Sequence, residues 1–597
     1  MTQQFELKTK TDDIKATHAD IFLKLNELKQ QNSRFLTITC RDLGETIEII
    51  YHFEKDVDVV NLKLRASKKD SVVSITSIFP AAFVAENEIQ DLFNLKISGL
   101  IVDLGGKMVK PDGSPSTLIK PAVGPEPPIL RFYGRCREEC PSMVDAPKYI
   151  RQIAAGDPVA AYNTVLENAA LPACLGRVCF APCQEGCRQE HNEEPIQIRL
   201  LKRYAADSTP HLKSKFKRAK STGKKVAVVG GGPSGVGCAF YLGLMGHDVT
   251  LFEKNANCGG AMLWGIPKYR LPKDILEVEV QARFKEAGVN YKPNKEITDL
   301  ISLQKDYDAI YLAIGASGST KLMIEGENAE GVYDFRDILR MVNVENKTLK
   351  LGDRVAVIGG GNSSIDAARV SKRLGSKNVS MYYRRTEREM PASPHEINGA
   401  TQEGINFEYL VAPVKIIPGK PLKLILQHMQ LGEPDASGRR RPEPVLESEF
   451  TVEVDTIITA IGQTVNTPAS FGCQVTRYGA IVINNETYET SIRGIYAGGD
   501  AVFGPKSVIE ALRDGKKTAS IIDKSFGGKG WPEPLIDMGE FVGRPTNLEE
   551  IKNQEKVECR ELDSEERIAG FDEVELGFNV DEALREANRC WRCDWNE

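Results

Sequence analysis

Six cysteines, Cys136, Cys140, Cys174, Cys179, Cys183 and Cys187, crowd into two short stretches, "RCREECP" and "PACLGRVCFAPCQEGCRQE". Thiolates repeated at separations of four or five residues are soft ligands, and in a reducing compartment such a set points to iron-sulfur clusters, with zinc as the competing reading. A separate Cys-x-x-Cys, Cys590 and Cys593, stands on the last turn of the chain in "EANRCWRCDWNE", where fraying is expected. It can hold a metal group only if the fold brings other ligands to it. Cys40, Cys238 and Cys473 are alone in apolar surroundings and read as plain buried side chains.

Two glycine-rich turns supply a different chemistry. In "KKVAVVGGGPSGVGCAFYLGLMGHDVTLFEK" a strand runs straight into Gly230, Gly232 and Gly235, a helix follows, and a second strand ends at Glu253 and Lys254. This order is that of a dinucleotide-binding unit. Gly230 permits the tight turn, Gly232 lets the backbone approach a pyrophosphate, Gly235 allows close helix packing, and the helix that Pro233 opens offers the N–H groups from Ser234 onward to phosphates. Glu253 stands where an acid would accept hydrogen bonds from a ribose. The second unit, "DRVAVIGGGNSSIDAARVSKRLGSKNVSMYYRRTEREMPA", repeats the pattern with Gly359, Gly361, Asn362 and Ser363, and has Ser364 at the third glycine position. Its second strand ends in Tyr383, Arg384 and Arg385, with Arg388 nearby. An acid there would repel a 2′-phosphate and paired guanidiniums would bind one, so NADP(H) is expected at this turn; a solvated basic turn is the bland alternative.

The elements that must carry these motifs divide the chain. At 597 residues it is too long for a single core. A formal charge of −6, from 83 acidic and 77 basic residues, provides no broad basic field for nucleic acid or anionic lipid. The polar N-terminus and the lack of a long apolar run predict a cytoplasmic protein with no membrane span. Residues 1–110 begin with a helix carrying Ile21, Leu25 and Leu28, followed by the alternating strands "RFLTITC", "TIEIIYHF" and "VNLKLRA". A Pro-rich linker occupies 111–130. Then come a helical cysteine segment (131–222), two dinucleotide domains, the first split into 223–335 and 456–530 around an inserted domain at 336–455, and a tail (531–597). The expected class is multidomain, with an α+β first domain, a helical iron-sulfur domain and two Rossmann-like α/β domains.

Three resemblances give these parts a provisional identity. "AENEIQDLFNL" makes residues 20–110 similar to the 30-kDa-type subunit of respiratory complex I, which implies a docking domain without a cofactor. "SIRGIYAGGDAVFGPKSVIEALRDGKKTA" resembles the second FAD contact of the two-dinucleotide-domain flavoprotein reductases. That likeness assigns FAD to the first turn and brings Gly499 and Asp500 back to it, with Gly315, and Gly462 of "TAIGQTVN", close by. The loop "CGGAMLWGIPKYRLP", with Gly260 and Arg270, is implied to lie along the flavin ring. Glu510 becomes a candidate for contacting the nicotinamide carboxamide, or else a structural helix acid.

Residues 131–525 as a whole resemble the small subunit of glutamate synthase, the N-terminal part of dihydropyrimidine dehydrogenase and the large subunit of ferredoxin-dependent NAD/NADP transhydrogenase. Those relatives hold two four-iron clusters and carry a further Cys-x-x-Cys just before the position of Cys136. Here "PEPPILRFYG" replaces that pair, so Cys590 and Cys593 look like the pair displaced to the other end. The implied partition gives Cys590, Cys593, Cys136 and Cys187 to one [4Fe-4S] cluster. The other takes Cys140, Cys179, Cys183 and Cys174, the last standing in for a family Glu or Gln whose position here is Lys202. Alternatively, Cys590 and Cys593 share a cluster with a partner subunit, or Cys559 completes a tail site. The combination resembles the NADP-handling subunit of an electron-bifurcating transhydrogenase, a hetero-oligomer with NADH dehydrogenase-like FMN and iron-sulfur subunits and with ferredoxin. The rival readings are an NADPH-oxidising input subunit of a hydrogenase, formate dehydrogenase or glutamate synthase, and a degenerate scaffold.

Overall fold

The computed structural model describes residues 11–55, 58–93, 95–104, 134–191, 194–435, 438–532 and 554–592, so the linker and Cys593 lie outside the described residues. The chain divides into two compact units, 1–130 and 131–596. In the first, a four-stranded sheet has the order Thr11–Ala16, Asp58–Ser67, Thr46–Lys55, Arg34–Asp42. Alternation places Ile47, Ile49, Tyr51 and Phe53 on one face with Leu62 and Leu64, and Leu25 and Ile89 of the helices Ile21–Gln30 and Phe83–Phe93 pack into the same core. The edge strand Thr11–Ala16 precedes the helix expected as the unit's first element; its sequence, "TDDIKA", has no alternation to betray it.

The polar members of "AENEIQDLFNL" turn inward. Glu86 is buried, accepts the Ile75 N–H at 2.9 Å and the Ser74 hydroxyl, and has its carboxyl raised by that burial. Asn87 donates to the Phe83 and Val102 carbonyls at 2.8 Å each. This run therefore stitches together its own domain.

In the second unit, two five-stranded parallel sheets carry the glycine turns. The first has the order Ile495–Ala497, Ala309–Leu312, Lys225–Val229, Asp248–Phe252, Asn290–Lys292. The second has the order Val332–Asp334, Thr456–Thr459, Arg354–Ile358, Asn378–Tyr383, Asn406–Tyr409. Both flanking strands of this inserted domain fall outside 336–455. Three- and four-residue apolar runs carry no sign of which sheet they will join, and pairing alone decides it. The two crossings between sheets run side by side, with Gly318–Ser319 antiparallel to Gln463–Thr464. A three-stranded antiparallel sheet, Val411–Ile417, Leu422–Pro434 and Arg440–Val454, extends from the inserted domain.

The described residues from 134 to 212 form helices without a strand. Asp145 and Asp157 cap two of these helices by accepting the Lys148 and Ala160 N–H groups, and Pro occupies the first turn of each. Their apolar faces share one core with the first parallel sheet. The described C-terminal residues, 554–592, contribute the helices Ser564–Ala569 and Val580–Asn588 and a short strand pair. Glu573 and Glu575 of this segment pair with Arg177, Arg203 and Arg199 of the cysteine segment, while the Val574 N–H donates to Tyr269 O at 2.9 Å. No helix among the described residues is long and apolar enough to cross a membrane.

Candidate functional site

One cleft is lined by both glycine turns. At the first, Gly230 has φ +110°, and a Cβ there would lie 2.3 Å from Ala313 O; only glycine can turn the chain at this point. A Cβ on Gly232 would meet nothing nearer than the Gly260 Cα at 3.9 Å, so the turn stays open to the cleft. No side chain caps the helix Pro233–Leu244, which leaves its first N–H groups for a ligand. Glu253, 6 % exposed, accepts the Gly231 N–H and the Asn255 N–H at 2.8 Å each. Ser234 hydrogen bonds to the buried Tyr311 hydroxyl at 2.6 Å, which turns its side chain away from a ligand.

The later strand returns here as the sequence implied. Gly499, at φ +64°, approaches Ser234 so closely that a Cβ would lie 2.9 Å from the serine Cβ. Asp500 lines the cleft, accepts the Lys506 N–H at 3.2 Å, and has its carboxyl pushed up to about 7 by burial. Lys254, Gly260, Gly315 and Gly462 also line this end.

Arg270 is engaged differently from the expectation, and Glu510 takes the structural alternative. Arg270 Nη1 bonds both oxygens of Asp366 at 2.9 Å, and its Nε meets Glu396 at 2.8 Å. It therefore clamps the inserted domain onto the first sheet's domain, although it borders the cleft. Behind it, Arg369 bridges Glu396 and Glu403, Arg373 pairs with Glu403, and both guanidiniums stack on the Tyr269 ring. Glu510 also borders the cleft, but its carboxylate accepts the Ser507 hydroxyl at 2.7 Å and the Ser507 N–H at 3.1 Å in a capping box. The Ser-x-x-Glu spacing of "SVIE" carries that signal in the sequence itself.

At the second turn, Gly359 has φ +144° and the backbone opposes Ala460 O, 2.3 Å from a would-be Cβ. Ser364 is tolerated at the third glycine position because its hydroxyl donates to that same carbonyl at 3.0 Å. Gly361 is open, with nothing nearer to its missing Cβ than Pro391 Cγ at 4.0 Å. Asn362 and Ser363 line the cleft, and Asn362 accepts the Ser393 N–H at 3.0 Å.

The basic residues part company. Arg384 is exposed at the cleft wall, whereas Arg385 is buried, with Nη2 2.8 Å from Asp435 and Nε 2.7 Å from Arg440 O. Arg388 is exposed and outside the cleft lining. A lining residue that the sequence reading missed, Arg439, comes from the hairpin.

The cysteines fall into two groups. Cys136, Cys187 and Cys590 line one small cavity with Ile150, Ile196, Ile198 and Trp591, so the displaced pair's first member does reach its implied partners. Cys140, Cys179 and Cys183 neighbour one another around the buried Lys202; burial raises the Cys140 and Cys183 thiols, and the Lys202 ammonium pulls them back. Cys174 is not brought to this group. Its thiol donates to Glu279, whose carboxylate also accepts the Ala173 and Cys174 N–H groups at 2.7 and 2.9 Å. The reason is helical: Cys174 lies in Pro172–Val178, and the five residues to Cys179 turn the side chains roughly 140° apart. Cys559 has Glu575, Arg199 and Arg203 as charged neighbours. Val178 and Phe180, which flank Cys179, line the same cleft as the glycine turns.

Family comparison agrees with this division. Residues 197–305 and 224–515 match the pyridine nucleotide-disulphide oxidoreductase model. Residues 133–213 match dihydropyrimidine dehydrogenase domain II, 4Fe-4S cluster, and 14–104 match the respiratory-chain NADH dehydrogenase 30-kDa subunit. The chain is 35 % identical over 508 residues to the NADP(+)-dependent formate dehydrogenase subunit beta of Moorella thermoacetica, covering 77 % of this chain and 70 % of that one. It is 33 % identical to the NADPH-Fe(3+) oxidoreductase subunit beta of Geobacter sulfurreducens over 78 % of this chain and 76 % of the relative. The glutamate synthase [NADPH] small chain of Escherichia coli is 31 % identical over 64 % of this chain and 87 % of its own length.

Proposed function

Because the chain belongs to the pyridine nucleotide-disulphide oxidoreductase family and joins that fold to an iron-sulfur domain and a 30-kDa-like domain, we propose that it is the NADP(H)-handling subunit of a multisubunit electron-transfer enzyme. It is an NADP-dependent flavin and iron-sulfur oxidoreductase. The observation that carries the proposal is the single cleft shared by the two glycine turns and by Val178 and Phe180 on either side of Cys179.

The residues of the two turns and of the first cysteine group fit the groups they are asked to hold; the second cysteine group has three thiols and lacks a fourth ligand among the described residues. The open turn at Gly232, the uncapped helix start, Glu253 and Asp500 suit FAD; the open turn at Gly361 and the exposed Arg384 suit NADP(H). Cys136, Cys187 and Cys590 are three thiols in an apolar cavity, the donor set of a cluster, and Cys593 supplies the fourth in our assignment. Cys140, Cys179 and Cys183 form the second set, with a buried ammonium rather than a thiol completing their surroundings. A bound flavin would supply the exchange between a hydride pair and single electrons. The chain's own part is to offer both nucleotide turns to one cleft, keep the cysteine helices against its wall, and fix the two dinucleotide domains through Arg270.

The 30-kDa-like domain is read as the docking element toward other subunits in a cytoplasmic assembly. One such assembly is a bifurcating transhydrogenase with NADH dehydrogenase-like partners and ferredoxin. The relatives named as formate dehydrogenase and Fe(3+) oxidoreductase beta subunits favour a second: an NADPH-oxidising input to a separate catalytic subunit. Anaerobic purification of the complex from its host, followed by NADPH-driven ferredoxin reduction with and without NAD⁺, separates them. Reduction that requires NAD⁺ supports bifurcation; reduction without it supports simple input; a chain whose visible spectrum NADPH cannot bleach would remove both.

A further inference from the structure

At the end of the strand Asn378–Tyr383 the structure gathers three guanidiniums, and they do different work. Arg385 is 4 % exposed and is clasped by the hairpin, through Asp435 Oδ2 at 2.8 Å and Arg440 O at 2.7 Å. Arg385 O in turn accepts the Leu410 N–H at 3.1 Å. It is thus held on two sides and directed away from a nucleotide. Arg384 is exposed, lines the cleft, and among the described residues makes no hydrogen bond or ion pair. The clasp that holds Arg385 also ties down the base of the hairpin turn, where the Asp435 N–H donates to Arg439 O at 2.7 Å, and Arg439 lines the same cleft as Arg384, near enough for the two guanidiniums to repel.

We propose that Arg439 is a specificity-determining residue that reads the 2′-phosphate of NADP(H) together with Arg384, and that Arg385 is a positioning residue that seats the hairpin carrying it. The inference rests on the reading that the second glycine turn takes this nucleotide. Two guanidiniums at one cleft wall repel each other, and burial, then Arg385 and Arg439, hold the Arg384 pKa below its ordinary value. A dianion placed between them relieves that repulsion and is matched by two planar donor forks. The neutral 2′-hydroxyl of NADH offers no such relief. The arrangement therefore discriminates at the phosphate and not at the rest of the nucleotide. The sequence conceals it, because Arg439 lies 55 positions beyond Arg384 (439 − 384) in a run, "GRRRP", that reads as a solvated turn.

The test uses the full chain carrying FAD and measures binding of 2′,5′-ADP and of 5′-AMP by calorimetry, with the NADPH and NADH KM values alongside. Loss of a charge-assisted bond predicts that Arg439→Ala and Arg439→Gln weaken 2′,5′-ADP roughly 10- to 100-fold, with 5′-AMP unchanged within about twofold. Arg439→Lys should fall between. Asp435→Asn, which loosens the Arg385 clasp, should lower the 2′,5′-ADP to 5′-AMP preference. If Arg384→Ala abolishes the preference and the Arg439 variants leave it intact, the hairpin role is wrong and the nucleotide assignment survives. If neither position moves it, both are wrong. Equal weakening of the two ligands by Arg439→Gln would make Arg439 structural and overturn the proposal.

Discussion

Arg270→Met tests whether the two dinucleotide domains are fixed by a buried charge. In the native chain the Arg270, Asp366 and Glu396 side chains are 12 %, 6 % and 8 % exposed, and Asp366 makes both of its hydrogen bonds to Arg270 Nη1. Glu396 keeps Arg369 at 2.7 Å when Arg270 is lost, so Asp366 is the group left stranded. Removing one partner of a buried pair costs about 3–5 kcal/mol. Since the shift is roughly 2–4 °C per kcal/mol for 150–250 residues and smaller for a unit as long as 131–596, the unfolding midpoint should fall by at most about 20 °C.

The loss has a pH signature. Burial already raises the Asp366 carboxyl to about 6 with Arg270 present, and without it the value must climb further. A carboxyl whose folded pKa is raised binds its proton more tightly in the folded state, so stability increases as pH falls. The deficit is therefore full only above the variant's pKa and shrinks by about 1.4 kcal/mol per unit as pH drops from there toward 6. Arg270→Met with Asp366→Asn should recover most of it. Thermal unfolding from pH 6 to 8, with stopped-flow NADPH bleaching of the flavin on the same samples, measures both consequences. A deficit under about 1 kcal/mol, or one that ignores pH, would refute the reasoning.

Other outcomes follow from the same structure. Gly232→Val fills an open cradle without meeting the backbone, so the chain should fold and lose FAD, while Gly361→Val should instead keep FAD and lose NADPH; absorbance and NADPH titration check each. Cys590→Ser should remove about four irons per chain and leave the flavin bound, read by iron assay and EPR. The His395 imidazole is raised by its bond to Glu575, 3.2 Å away, so this link between the inserted domain and the C-terminal segment is present below the ordinary His pKa and is lost as pH rises through the raised one. Beyond the intrinsic pH effect, hydrogen exchange in Arg560–Glu561 and Glu575–Gly577 should quicken over that range, and His395→Asn should abolish the dependence. Glu86→Ala strands the Ile75 N–H, while the Ser74 hydroxyl keeps the Thr76 hydroxyl at 2.6 Å, and should cost the first domain about 1–3 kcal/mol in denaturant unfolding.

The sequence by itself determined the parts whose physics is local. Gly230 and Gly359 announce their turns because a Cβ at either would strike a backbone carbonyl, and each turn, its helix and its next strand lie within one short window. The alternation in "TIEIIYHF" likewise settled a strand and its buried face. Even the role of Glu510 was legible, since a capping box needs only four residues. Contacts between distant segments were decided by the tertiary structure alone. Nothing near Arg385 in the chain tells that Asp435 will take it, or that Arg439 will stand in the cleft instead. Cys174 has the right residue type and spacing for a ligand, yet its helix faces it toward Glu279. Cys590 reaches Cys136 and Cys187 only because the C-terminal segment is bound to the cysteine helices by pairs such as Glu575 with Arg199. Residue type and spacing select the chemistry a side chain can do; which partner satisfies it depends on packing that brings positions hundreds of residues apart within a few ångströms.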